Sequence, residues 1–210
     1  PNTISFGTMI NAARLELAVA TLRAAPDARR EDLEAAMLML SRRWATFGRL
    51  PEGLAMVEEV VAGLRAARPP RPANLINALD ALGSAYSKAG RQAEHVATYR
   101  EALDLAQRTL GAEHFNVAVL HHNLAGALDA AGVANEAIVH SDLALSLAAR
   151  SVAPTHAFPL TAVLLNARLH CAAGDRDGGR ARLQPLLPEY TRLPQLAERL
   201  AAARAACAMD

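Results

Sequence analysis

Asn123-Leu-Ala-Gly-Ala-Leu-Asp-Ala-Ala-Gly132, followed by Glu136-Ala137, is the stretch that decides the fold. Its apolar residues recur three and four apart up to a glycine and resume beyond it, the pattern of two amphipathic helices around a tight turn. Leu79-Asp-Ala-Leu-Gly-Ser-Ala-Tyr-Ser-Lys-Ala-Gly90 has the same plan. Working outward, Gly48, Gly90, Gly132 and Gly174 stand 42 residues apart. A constant period in the range of about 20–50 residues marks a repeat architecture, in which each unit buries its apolar face against a neighbour.

The register holds on both sides of each glycine. Eight residues before it lie Leu40, Leu82, Leu124 and Asn166, and four before it Trp44, Tyr86, Leu128 and His170. Twelve after it come Val60, Ala102, Ala144 and Leu186, followed by Val61, Leu103, Leu145 and Leu187. Each unit therefore reads as helix A, glycine turn, helix B and a longer link. The glycine takes the left-handed turn that other residues adopt at a cost. Pro69, Pro70, Pro72, Gly111, Pro154 and Pro159 punctuate the links.

These units resemble the tetratricopeptide repeat. The 42-residue period and the Leu110-Gly-Ala-Glu-His114 link are similar to its longer form, found in kinesin light chains and many bacterial signalling proteins. The resemblance spans nearly the whole chain and implies an all-α, right-handed α-solenoid of stacked antiparallel helix pairs with a C-terminal capping helix. The expected divisions are a partial repeat over 1–30, repeats over about 31–72, 73–114, 115–156 and 157–190, and a cap over 193–209. Four residues depart from the pattern. Gly53 and His95 stand where helix B prefers alanine, His121 replaces a large apolar residue of helix A, and Asn166 replaces leucine.

The two ends differ from the middle. Phe6-Gly7 with Leu22-Arg-Ala-Ala25 echoes Phe47-Gly48 with Leu64-Arg-Ala-Ala67, so Met9 to Ala25 reads as the second helix of an incomplete repeat. With a proline at position 1, the expectation is a piece of a longer solenoid or multidomain protein, the alternative being simple tag removal or processing. Leu193 to Met209 is rich in alanine and arginine without a turn glycine, as a cap over the last apolar face would be.

Composition agrees with helices. Apolar residues make up 52% of the 210, led by alanine, against 4% aromatics. Lys88 is the only lysine among the basic residues, a bias that points to a GC-rich bacterial genome. The net charge of +1, with acids and bases interspersed, lacks the basic stripe of a nucleic-acid binder. Arg23, Arg29, Arg30, Arg42, Arg43 and Arg49 cluster in the first third, as a solvated helix surface. No apolar run reaches the roughly 18 residues of a membrane span.

Chemistry is sparse. Cys171 and Cys207 are the only cysteines; so far apart, they are expected to be unpaired in a reducing cytoplasm, with Cys171 reachable from the groove. Adjacent His121 and His122 diverge by about 100° on a helix and cannot share an ion. His140 has only Glu136 one turn away, and no His-x-x-x-His or Cys-x-x-Cys spacing occurs. Gly-Asp-Arg-Asp-Gly-Gly at 174–179 lacks the ligands of a calcium or phosphate loop and reads as the fourth turn, with Asp177 starting a helix. No nucleophile elbow or paired carboxylate stands out. Neither an enzyme nor a cofactor is expected.

The resemblance implies that helix A lines a concave groove. Residue by residue, it supplies Leu38, Met39, Arg42 and Thr46; Asn77, Asp80, Ser84, Ser87 and Lys88; His122, Asn123, Gly126 and Asp129; and Leu164, Leu165, Arg168 and Cys171. Asn123 could pair with the backbone of an extended peptide, Arg42, Lys88 and Arg168 with carboxylates, and the leucines and Met39 with apolar side chains. The implied function is a cytoplasmic protein-interaction module of a bacterial signalling or regulatory protein, taking a peptide or partner protein, with no nucleic acid and no membrane. Two alternatives stand beside it: a peptide sensor controlling an attached effector domain, and a scaffold that self-assembles, for instance as a homodimer through an unpaired first helix.

Overall fold

The computed structural model describes residues 6–25, 27, 29–151, 157–190 and 192–209. They form α1 (Phe6–Ala24), α2 (Arg30–Thr46), α3 (Leu50–Ala66), α4 (Pro72–Lys88), α5 (Gln92–Leu110), α6 (Phe115–Ala130), α7 (Ala134–Ser151), α8 (Ala157–Ala172), α9 (Arg176–Leu183), α10 (Leu187–Tyr190) and α11 (Ala197–Ala206). No strand occurs among the described residues. The chain divides into two compact units, Pro1–Ala102 and Leu103–Asp210.

The four repeat glycines all have positive φ: 78° at Gly48, 70° at Gly90, 77° at Gly132 and 100° at Gly174. In each turn the following N–H reaches back to the carbonyl five residues earlier: Arg49 to Trp44, Arg91 to Tyr86, Val133 to Leu128 and Asp175 to His170, at 2.9–3.0 Å. This closure uses carbonyls that the helix end would leave unpaired, and the left-handed residue it needs explains the glycine. The helix after Gly174 is capped by Asp175, whose carboxylate accepts from the Gly178 N–H at 3.0 Å. Asp177 lies inside that helix instead of starting it, a correction of one turn position. Pro72 opens α4, where its missing N–H costs nothing. Pro154 lies outside the described residues.

In the first unit, α1 packs on α2, α2 on α3, α3 on α4, and α2 reaches α4. Leu40, Met56, Val57, Val60, Val61, Leu64, Leu79 and Leu82 fill the interior. A polar clamp recurs outside this core. Trp44 Nε1 and Arg49 both donate to Glu16, at 2.7 and 2.8 Å, with the guanidinium 4.1 Å from the indole centroid. One period later, Tyr86 and Arg91 donate to Glu58, at 2.9 and 3.4 Å, with the guanidinium 4.5 Å from the ring centroid. Helix B is tied to helix B by Arg23–Glu59 at 2.7 Å and Arg65–Glu101 at 2.6 Å. Gly53 is explained by contact: a Cβ there would stand 2.8 Å from the Ser41 carbonyl oxygen.

In the second unit, α6 packs on α7, α7 on α8, α8 on α9, and α11 returns to α8. The helix-A departures are accommodated by polar pairing. His121, 5% exposed, places Nδ1 2.8 Å from Nδ1 of His140. Asn166, fully buried, donates to Ser141 Oγ at 2.8 Å and to Asp142 Oδ1 at 2.7 Å.

The cysteines overturn the sequence expectation. Cys171 and Cys207 form a disulfide across a separation of 36 residues and are both buried. They sit in the cluster of Leu160, Leu164, Leu183, Tyr190, Leu196 and Ala203 where the cap closes the unit. Cys171 is therefore not a groove thiol, and the cysteine argument for a reducing compartment falls with it. Folding brings α11 back over α8, a proximity that sequence distance conceals. Arg180 secures the same corner by donating to the carbonyls of Cys207 and Ala208, both at 2.8 Å.

Candidate functional site

Two clefts, one in each unit, collect most of the groove residues expected from helix A. The first has a volume of about 520 Å³. Helix α2 supplies Met39, Arg42, Arg43 and Thr46, and α4 supplies Asp80, Ala81, Ser84 and Lys88. These positions fall at helical spacing on faces that the core leaves to solvent, and Met39 is 57% exposed. Arg42, Arg43 and Lys88 have no ion-pair partner among the described residues. Most arginines around them do: Arg23, Arg49, Arg65, Arg71 and Arg91 each meet a glutamate. The cleft thus brings together three cations that meet no carboxylate among the described residues, beside one carboxylate, Asp80.

The second cleft has a volume of about 260 Å³. His122 and Gly126 come from α6, Thr161, Leu164, Leu165 and Arg168 from α8, and Arg199 and Ala202 from α11. Arg168 is engaged, with Nη2 2.5 Å from Asp129 Oδ2. His122 lies edge-on to Phe158, with ring centroids 5.6 Å apart. Burial, helped by the charge on Arg199, pulls its pKa down to about 4, so the imidazole is neutral at pH 7. Its Nδ1 is buried without a hydrogen-bond partner.

The remaining groove candidates lie elsewhere. Asn77 and Ser87 are exposed on α4 outside the cleft lining, Leu38 is half-buried, and Asn123 is half-buried on α6 beside the second cleft's helix face. Asp129 contributes through Arg168. Sequence reasoning missed Arg43 and Arg199 as cleft residues. Arg43 adjoins Arg42 and was assigned to the solvated surface; Arg199 belongs to the cap, which was read only as a cover. Among the described residues, no group of three or more His, Cys, Asp or Glu side chains could hold a metal ion. None of the described helices is long and apolar enough to cross a membrane.

No protein-family model matches this chain, and no curated protein matches it. Solved structures do. BtubC (BKLC) from P. vanneervenii superposes with a TM-score of 0.80 at 17% identity, over 97% of this chain and 85% of that one. A Podosopora anserina putative kinesin light chain with nearly identical TPR-like repeats gives 0.71 at 22% identity, over 94% of this chain and 87% of that one. The fold is the all-α, TPR-like solenoid of helix pairs with a C-terminal cap, similar to kinesin-light-chain-type repeats.

Proposed function

We propose that the chain is a non-catalytic interaction module of a bacterial signalling or regulatory protein, and that it takes an acidic peptide segment of a partner protein against α2 and α4. The observation that carries this reading is the charge balance of the first cleft. Arg42, Arg43 and Lys88 flank it without ion-pair partners among the described residues, whereas nearby arginines are neutralised by glutamates. Unpaired cations with an apolar Met39 beside them suit carboxylates separated by an apolar side chain. The similarity to kinesin-light-chain-type repeats supports an interaction role by analogy of fold.

Fluorescence anisotropy with a labelled peptide of alternating glutamate and leucine tests the reading. We expect saturable binding that weakens with salt and falls about tenfold or more in Arg42→Ala/Lys88→Ala, since each lost charge-assisted contact costs on the order of 1.5–3 kcal/mol. Equal affinity for a lysine–leucine peptide, or no change in the double variant, would move the site away from this cleft.

A further inference from the structure

Helix α11 ends as the four helices A do. The Met209 N–H reaches back to the Arg204 carbonyl at 3.0 Å, and Ala208 takes the left-handed conformation, φ 50°, that the repeat glycines take in their turns. That turn gives α11 a register. Seven residues before the left-handed position, the four helices A carry a small, buried residue: Ser41, Gly83, Ala125 and Ala167. The paired helix B closes on it. A Cβ on Gly53 would stand 2.8 Å from the Ser41 carbonyl oxygen, and one on Gly179 2.9 Å from that of Ala167. In α11 the same position is Ala201, and it is exposed. One residue earlier, Leu200 is only half-buried, where Leu40, Leu82, Leu124 and Asn166 are buried. With Ala197, Ala205 and Met209 they line an apolar cleft of about 520 Å³. Helix α11 is thus a helix A whose pairing face is open among the described residues.

Helix α1 has the reciprocal property. The 42-residue period makes it a helix B, in register with α3, α5 and α7. Val57, Val60 and Leu64 in α3, and Ser141, Ala144 and Ala148 in α7, are buried. Their counterparts in α1 are Leu15, Ala18 and Leu22, and all three are only half-buried. We propose that a second copy of this chain covers the α11 cleft, its α1 acting as the helix B, so that copies join head to tail. The two faces are the halves of a contact that the chain already makes between α2 and α3, α6 and α7, and α8 and α9. Leu15 and Leu22 supply the aliphatic groups, and Ala201 with Ala205 the close approach. Such a contact joins unlike faces, so a defect in one face of one molecule can be met by the intact face of another.

The experiment is analytical ultracentrifugation of the whole chain and two variants. Ala201→Glu/Ala205→Glu blocks the tail; both alanines are exposed on a helix, so this variant should melt as the parent does. Leu15→Glu/Ala18→Glu blocks the head. We expect the parent's mass to rise with concentration above the 22.3 kDa of one copy. Each variant alone should stay monomeric, and an equimolar mixture should form a one-to-one pair. Arg42→Ala/Lys88→Ala should associate as the parent does, which separates this contact from peptide binding. A parent that is monomeric up to about 1 mM would overturn the proposal. So would association that persists in the tail variant, the mark of symmetric α1 pairing, or a mixture of two folded variants that stays monomeric. If the head variant loses helix, cross-linking decides. Ala18→Cys and Ala201→Cys, mixed and treated with a short bismaleimide, should give a mixed dimer in severalfold higher yield than either variant alone. Equal yields would overturn the head-to-tail contact.

Discussion

The two units solve the same packing problem with different chemistry. The first is bound externally by a periodic clamp, Glu16 with Trp44 and Arg49, then Glu58 with Tyr86 and Arg91, and it leaves its cleft cations unpaired. The second keeps only part of that clamp: His170 stands between Asp142 at 3.0 Å and Asp175 at 3.2 Å. It compensates internally, with a histidine pair, a buried asparagine and a disulfide. Repeats of one ancestral plan can therefore be held by solvent-facing charge or by buried polar and covalent links, and the choice determines what disturbs them.

The largest expected difference concerns the bridge. Closing a loop of 36 residues limits the unfolded chain and contributes about 4 kcal/mol by loop entropy. Cys171→Ser/Cys207→Ser should lower the urea midpoint markedly, with hydrogen exchange rising in α9 and α11 before α2 to α4. Identical urea curves for the parent and the double variant would show that the bridge adds no stability.

Acid comes next. Burial and the neighbouring His140 push the His121 pKa down to about 4 from its ordinary 6.5. As pH falls below about 6.5, the unfolded chain takes up the proton first, so stability is complete at neutral pH and is lost progressively towards pH 4. For His121 the loss amounts to about 2–3 kcal/mol. The first unit's carboxylates act in the same direction but in a more acid window. Hydrogen bonds from their own backbone N–H, and then from Arg49 and Arg91, lower the pKa values of Glu52 and Glu94, so these pairs persist to lower pH. Thermal melts between pH 7 and 4 should show the fall, and His121→Leu should flatten it. A parent protein that melts independently of pH across this window would contradict the pairing.

The smallest effect belongs to the clamp. Glu58→Ala removes the acceptor shared by Tyr86 and Arg91 on a half-exposed surface and should cost about 1 kcal/mol, declining with salt. A salt-independent loss of several kcal/mol would mean that Glu58 belongs to the core and not to a solvent-facing tie.

The helices and turns were legible because their causes are local. A left-handed turn selects glycine, and a helix face selects apolar residues at three and four, so a period of 42 residues displays both. Gly53, His121 and Asn166 were visible as departures, but their explanations lie on another helix: the Ser41 carbonyl, His140, and Ser141 with Asp142. The disulfide was misread for the same reason. Cys171 and Cys207 become neighbours only after α9, α10 and α11 have folded back, and Arg199 enters its cleft by the same return. Periodicity identifies which face a residue occupies; it does not identify the partner that the face will meet.

Position 179 shows what this return implies for inheritance. Any side chain on Gly179 would collide with Cys171 Sγ, and the same Cβ would lie 3.1 Å from Cys207 Sγ. The bridge and the missing side chain are thus one trait written at three sites. Across descendants of this sequence, glycine at 179 should accompany the cysteine pair at 171 and 207, and the Ala167 carbonyl, 2.9 Å from the same Cβ, favours it even where the pair has been given up.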